Sequence, residues 1–196
     1  MQEEIIYNRI KGLTDKQLIS FGLTCFHRVK HFYQDFEKNN DLSTVDSKIG
    51  NGNHLVYMEK TLEELKKEKD LPSNFFTKNI NLFELGIVDD DYFGSSVENY
   101  SAQLAAIIAT DILEFSQNRD KENIINCVGG LLEIINQNKS DLFYSLHPNS
   151  PTLELNEYLQ KHYEIEFSIE NSILNMIEEN SSEDVIILFC NENEVR

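Results

Sequence analysis

His27, His31 and Asp35 stand one helical turn apart, the spacing that lets two imidazoles and a carboxylate share a metal ion. A zinc-protease helix places Glu directly after the first His; Arg28 stands there instead, which excludes that chemistry. The three residues also fall opposite an apolar stripe, so the expectation is a solvated face and no metal. Asp111 is the second candidate. It lies in the apolar face of a hydrophobic segment, where burial would raise its pKa and suit it to proton transfer. The expectation for Asp111 is a structural acid satisfied by a Tyr, Lys or Arg. Asp89, Asp90 and Asp91 precede Tyr92-Phe93-Gly94 and lack the ordered oxygen ligands of a calcium loop. GxSxG, a phosphate-binding glycine loop, a CxxC pair and a credible Cys/His nucleophile are all missing. No catalytic residue and no cofactor are therefore expected.

The elements that would carry these residues are helical. Thr14-Asp15-Lys16-Gln17 reads as a capping box opening a helix to about Lys38, with Leu18, Gly22, Cys25, Phe26, Val29, Phe32, Tyr33 and Phe36 in one stripe. Residues 39–53 are rich in turn formers and predict a loop. A helix from His54 ends before Pro72, and Ser73 is expected to cap the next, which Gly86 stops. Residues 95–117 form the most hydrophobic helix, with Val97, Tyr100, Leu104, Ile107, Ile108, Ile112 and Phe115 on one face and Ala102, Ala105, Ala106 and Ala109 on a second. Asp120 is a plausible cap for a helix over 120–137, making an antiparallel hairpin. Gly129-Gly130 there should allow close approach of the alanine face. Ser150-Pro151 opens a helix to about Glu179, with Leu155, Tyr158, Leu159, Ile165, Ile169, Ile173 and Ile177 inward and a break near Phe167. Val185–Cys190 has strand length and strand composition. The fold expected is all-α: one domain over 1–196, a bundle of about six to seven helices around the buried hairpin 95–117 and 120–137, with a short extended C-terminal segment 185–190.

Composition bounds the function. The net charge is −17, from 34 acids against 17 Lys and Arg. Residues 1–69 sum to zero, 70–149 to −8 and 150–196 to −9. Such a surface repels phosphate backbones and anionic lipid and attracts basic proteins, so neither nucleic acid nor membrane is an expected partner. Cys25, Cys127 and Cys190 are odd in number and widely spaced, which suits a reducing compartment. The acidic start Met1–Glu4, with no long apolar run after it, predicts no signal peptide and a cytoplasmic location.

Arg9-Ile10-Lys11-Gly12-Leu13-Thr14 leading into Phe21-Gly22-Leu23-Thr24-Cys25-Phe26-His27-Arg28-Val29 resembles the start of the bacterial family called "domain of unknown function 416". The turn Asp89–Gly94 entering an alanine-rich helix, the helix at Pro151 and an apolar tail resemble the rest of its layout. The resemblance implies an all-helical single domain in the bacterial cytoplasm and no particular activity.

The charge and size lead to an acidic protein-binding module, sharpest as an immunity-type inhibitor that neutralises a basic toxin or effector such as a nuclease. Its expected contact residues are Asp89, Asp90, Asp91, Glu154, Glu157, Glu164 and Glu178. One alternative is a homodimeric scaffold paired through 185–190. The other is a metal-dependent regulator or enzyme using His27, His31 and Asp35.

Overall fold

The computed structural model describes residues 2–40, 53–67, 71–87, 96–148 and 152–195. Eight α-helices occur among them: α1 (Gln2–Gly12), α2 (Asp15–Asn39), α3 (His54–Lys66), α4 (Ser73–Glu84), α5 (Val97–Asn118), α6 (Lys121–Leu146), α7 (Thr152–Glu178) and α8 (Glu183–Glu192). No strand appears among the described residues. The expected loop at 41–52, the acidic turn Asp89–Asp91 and the Ser150-Pro151 cap lie outside them.

Local signals place several helix ends. The Thr14 side chain accepts from Gln17 N while Gln17 reaches back to Thr14 N, closing the capping box. Asn53 caps α3 through Val56 N, and Ser96 caps α5 through Asn99 N. Arg119 takes a left-handed φ of 63° and Asp120 caps α6 through Glu122 N, so two residues reverse the chain between α5 and α6. The fourth helix differs: Pro72 holds the cap position without a side-chain bond, and Ser73 is already helical.

The core forms where α2 crosses the α5/α6 hairpin; α2 with α5 and α5 with α6 share the largest interfaces. Gly22 permits that crossing, because a Cβ there would meet Ile112 at 2.9 Å and Ile124 at 3.0 Å. Ala102, Ala105, Ala106 and Ala109 are all buried, as a helix apolar on nearly every side requires. The glycine pair behaves unequally. A Cβ on Gly130 would meet Ile108 of the large-residue face at 3.0 Å, whereas Gly129 has open space. One glycine therefore serves close packing, and against isoleucine rather than alanine.

Three further expectations are corrected. The sixth helix runs to Leu146 instead of ending near 137. The seventh is continuous through Phe167. Residues 185–190, expected to be extended, lie in α8: Ile186 and Cys190, four apart, are buried while Val185 and Leu188 are exposed. Helical geometry lets one face of that apolar run dock, and Glu183 and Asp184 complement the dipole in its first turn. Among the described residues no helix is long and apolar enough to cross a membrane.

Candidate functional site

The outer side of α7 and the end of α6 beside it form the most distinctive surface. Beyond the main core, Phe143 of α6 and Leu155 and Leu159 of α7 make a second buried cluster, with Tyr158 and Tyr163 packed on it. Its rings run in series, His147–Phe143 at 5.2 Å, Phe143–Tyr158 at 5.3 Å and Tyr158–His162 at 4.6 Å between centroids. This small cluster holds the hairpin end in place while leaving Leu142, Tyr144 and Leu146 in solvent, Leu146 at 65% exposure. On α7, Ile165 is 58% exposed, although its apolar character suggested an inward position.

Glu154, Glu157 and Glu164 are all exposed on α7 and share its outer side, since steps of three and ten residues return to nearly the same face. Glu164 accepts from Gln160 Nε2 at 3.2 Å. Glu178 does not join them. It lies about 36 Å along the helix from Glu154 and pairs with Arg9 at 3.0 Å. Arg9 is also bonded to Asn171 and Asn175, so Glu178 fastens α1 to α7. Of the seven expected contact residues, the structure brings together Glu154, Glu157 and Glu164; Asp89, Asp90 and Asp91 are outside the described residues.

His27, His31 and Asp35 do not converge. His27 Nε2 lies 2.6 Å from Asn191 Oδ1, the His31 ring lies against Phe32, and Asp35 accepts from Lys38. Among the described residues, no group of three His, Cys, Asp or Glu side chains is placed to hold a metal. His27 does border a groove of about 1010 Å³ between α2, α3 and α8, lined also by Leu23, Leu62, Ile187 and Cys190. With Asn191 beside it, the residue types match a Cys-His-Asn hydrolase, but the electrostatics oppose one. Burial pushes the Cys190 thiol up to about 11, and burial together with nearby Lys30 lowers the His27 pKa. Neither thiolate nor imidazolium is favoured.

Behind α7 lies a group that sequence reasoning missed. Arg28 is 1% exposed, Glu166 3% and Glu170 0%. Arg28 Nη1 donates to Glu166 Oε1 at 2.5 Å and Glu170 Oε1 at 2.9 Å, and Nη2 to Glu166 Oε2 at 2.7 Å. Its Nε donates to Asn193 O at 2.8 Å, and Val195 N returns a 3.3 Å bond to Arg28 O. One guanidinium thus ties α2, α7 and the C-terminal residues together. Burial and the Glu166 charge push the Glu170 carboxyl well above the usual carboxylate range, against the pull of Arg28. A readable signal existed. The buried register Leu155, Leu159, Ile173, Ile177 continues through positions 166 and 170, with Ile169 half-buried beside it and 165 exposed.

Asp111 faces α6, where Asn126 bonds to it, in place of the expected Tyr, Lys or Arg. Burial, reinforced by Glu114, pushes it up to about 7, with Asn126 partly opposing.

No family model matches this sequence, and no curated protein matches it. Among solved structures, a DUF416 family protein from Shewanella baltica OS155 superposes with a TM-score of 0.65 at 18% identity, over 96% of this chain and 92% of that one. The resemblance to the "domain of unknown function 416" family holds at the level of the whole fold: this chain has the all-helical architecture of that protein.

Proposed function

We propose that this chain is a protein-binding module that captures a basic protein through Glu154, Glu157 and Glu164 and the apolar residues at the α6 end beside them. The observation that carries the reading is the exposure of Leu142 and Leu146, one helical turn apart on the same side of the α6 end, which is fastened to α7 by its own small core. Exposed apolar side chains rimmed by like charges are the composition of a docking surface. The acids would accelerate encounter with a cationic partner, and the buried apolar contacts would set residence time. The net charge of −17 extends that attraction over the whole approach.

The sharpest form of the proposal is an immunity-type inhibitor that neutralises a basic toxin or effector, such as a nuclease, in the cytoplasm. The product of the gene beside this one is the partner to test. A stoichiometric complex at low salt, weakened on the order of tenfold or more by reversing Glu154, Glu157 and Glu164 to Lys, supports the reading. Absence of any complex with adjacent-gene products at low salt counts against it, and a complex indifferent to the triple reversal removes α7 as its site.

A further inference from the structure

Arg28, Glu166 and Glu170 bring one positive charge and two carboxyls into a region almost without solvent. If both carboxyls were ionised, the cluster would bury a net negative charge, which proteins avoid unless it is paired and hydrogen-bonded. The hydrogen bonds locate the deficit. Both Glu166 oxygens accept from Arg28, as does Glu170 Oε1, but Glu170 Oε2 is buried with no hydrogen-bond donor among the described residues. The Glu166 carboxyl lies against Glu170. A proton between the two removes the excess charge and satisfies the orphaned oxygen.

We propose that this cluster is a proton-held clasp for the C-terminal segment: a proton shared by Glu166 and Glu170 balances Arg28 against one carboxylate charge, and loss of that proton releases residues 193–195 and α8 from α2. The C-terminal segment is the part that yields. It is a ten-residue helix packed chiefly on α2, and Asn193 and Val195 bond directly to Arg28. Such elements open at lower free energy than core helices, and a second buried charge reaches water most directly through them. Release would also open the groove, because Glu183, Ile186, Ile187 and Cys190 form its α8 wall.

The titratable and charged groups around the pair are Cys25 and Arg28 from α2, Cys127 from α6 and Cys190 from α8. Burial holds all three thiols above their ordinary range. The clasp stands on different residues from the acidic face of α7.

The test uses the full chain. Carbon-13 NMR of the glutamate carboxyls follows their titration, while amide exchange follows opening of Ile186–Cys190 against Ala105–Ala109 as reference. The expected result is one proton retained by the Glu166–Glu170 pair after most of the glutamate carboxyl signals have shifted. Opening of α8 then rises with pH faster than that of α5, by up to about tenfold per unit, the limit for one linked proton. Glu170→Gln, a neutral isostere, should keep α8 closed across that range. Titration of both carboxyls together with the surface glutamates, α8 protection independent of pH, or α5 opening in step with α8 would overturn the proposal. Should Glu170→Gln fail to fold, the wild-type titration and exchange still decide.

Discussion

Glutamates on two sides of α7 do opposite things. Glu166 and Glu170 are sealed against Arg28 and hold the fold together, whereas Glu154, Glu157 and Glu164 stand in water with no ion pair among the described residues. Residue type and helix are the same; only position on the helix differs. An ionised carboxylate in water costs nothing to keep and is available to a partner. A buried one must find a cation or a proton, and once it has done so it has no capacity left for recognition. Glu178 is intermediate, half-exposed and paired with Arg9, and contributes to packing rather than to a docking face. The division teaches that a net charge of −17 overstates the surface available for binding, because part of it is internal.

The harshest way to break the comparison is to remove the cation. Arg28→Met should destabilise the chain by about 3–5 kcal/mol, measured by denaturant unfolding at pH 7, because two buried carboxyls lose their partner. A loss below 1 kcal/mol would mean that the cluster is better hydrated than its burial indicates.

Asp111 sharpens the comparison from another helix. Its folded pKa of about 7 lies above its ordinary value, so its contribution to stability is fully present below about pH 4 and is lost as pH rises through 7. Asp111→Asn should remove that decline and leave the variant roughly 1–4 kcal/mol more stable than wild type at pH 8, at most the full linkage of the shift. Paired unfolding curves at pH 5 and pH 8 check it, and equal slopes in the two proteins would refute the assignment. Glu178→Gln should cost roughly 0–1 kcal/mol, with the loss disappearing when Arg9 is already replaced. Glu154→Gln, Glu157→Gln and Glu164→Gln should each change stability by less than about 0.5 kcal/mol, since none supports packing.

How much of this division the sequence could reveal depended on the range of the interactions. The Thr14 capping box, the Asp120 cap and the apolar stripe of α2 are local, and they were legible. The Arg28 cluster was not, because its carboxyl partners lie 138 and 142 residues away and nothing in an isolated α2 explains an inward arginine. Ile165 was read as inward for its apolarity, while the register of the flanking leucines and isoleucines assigns the inner line to 166 and 170; Ile169 packs half-buried against the core, as expected. In Val185–Cys190, β-branched composition pointed to a strand, but docking of Ile186 and Cys190 as one helical face prevailed. The acidic face of α7 was legible because exposure is the ordinary state of glutamate. Asn191 beside His27 was invisible, being set by where α8 lands.

We propose that the outer face of α7, and not total charge, captures the basic partner. The most direct measurement is the affinity of the adjacent gene's product for wild type and two triple variants, at low and moderate salt. One variant carries Glu154→Lys, Glu157→Lys and Glu164→Lys. The other carries the same net change on acids remote from α7, at Glu63, Glu64 and Glu84 on α3 and α4. The account predicts on the order of tenfold or greater weakening for the α7 variant, a shallower salt dependence, and a markedly smaller effect for the remote one. Equal weakening by both would show that only net charge matters and would contradict it.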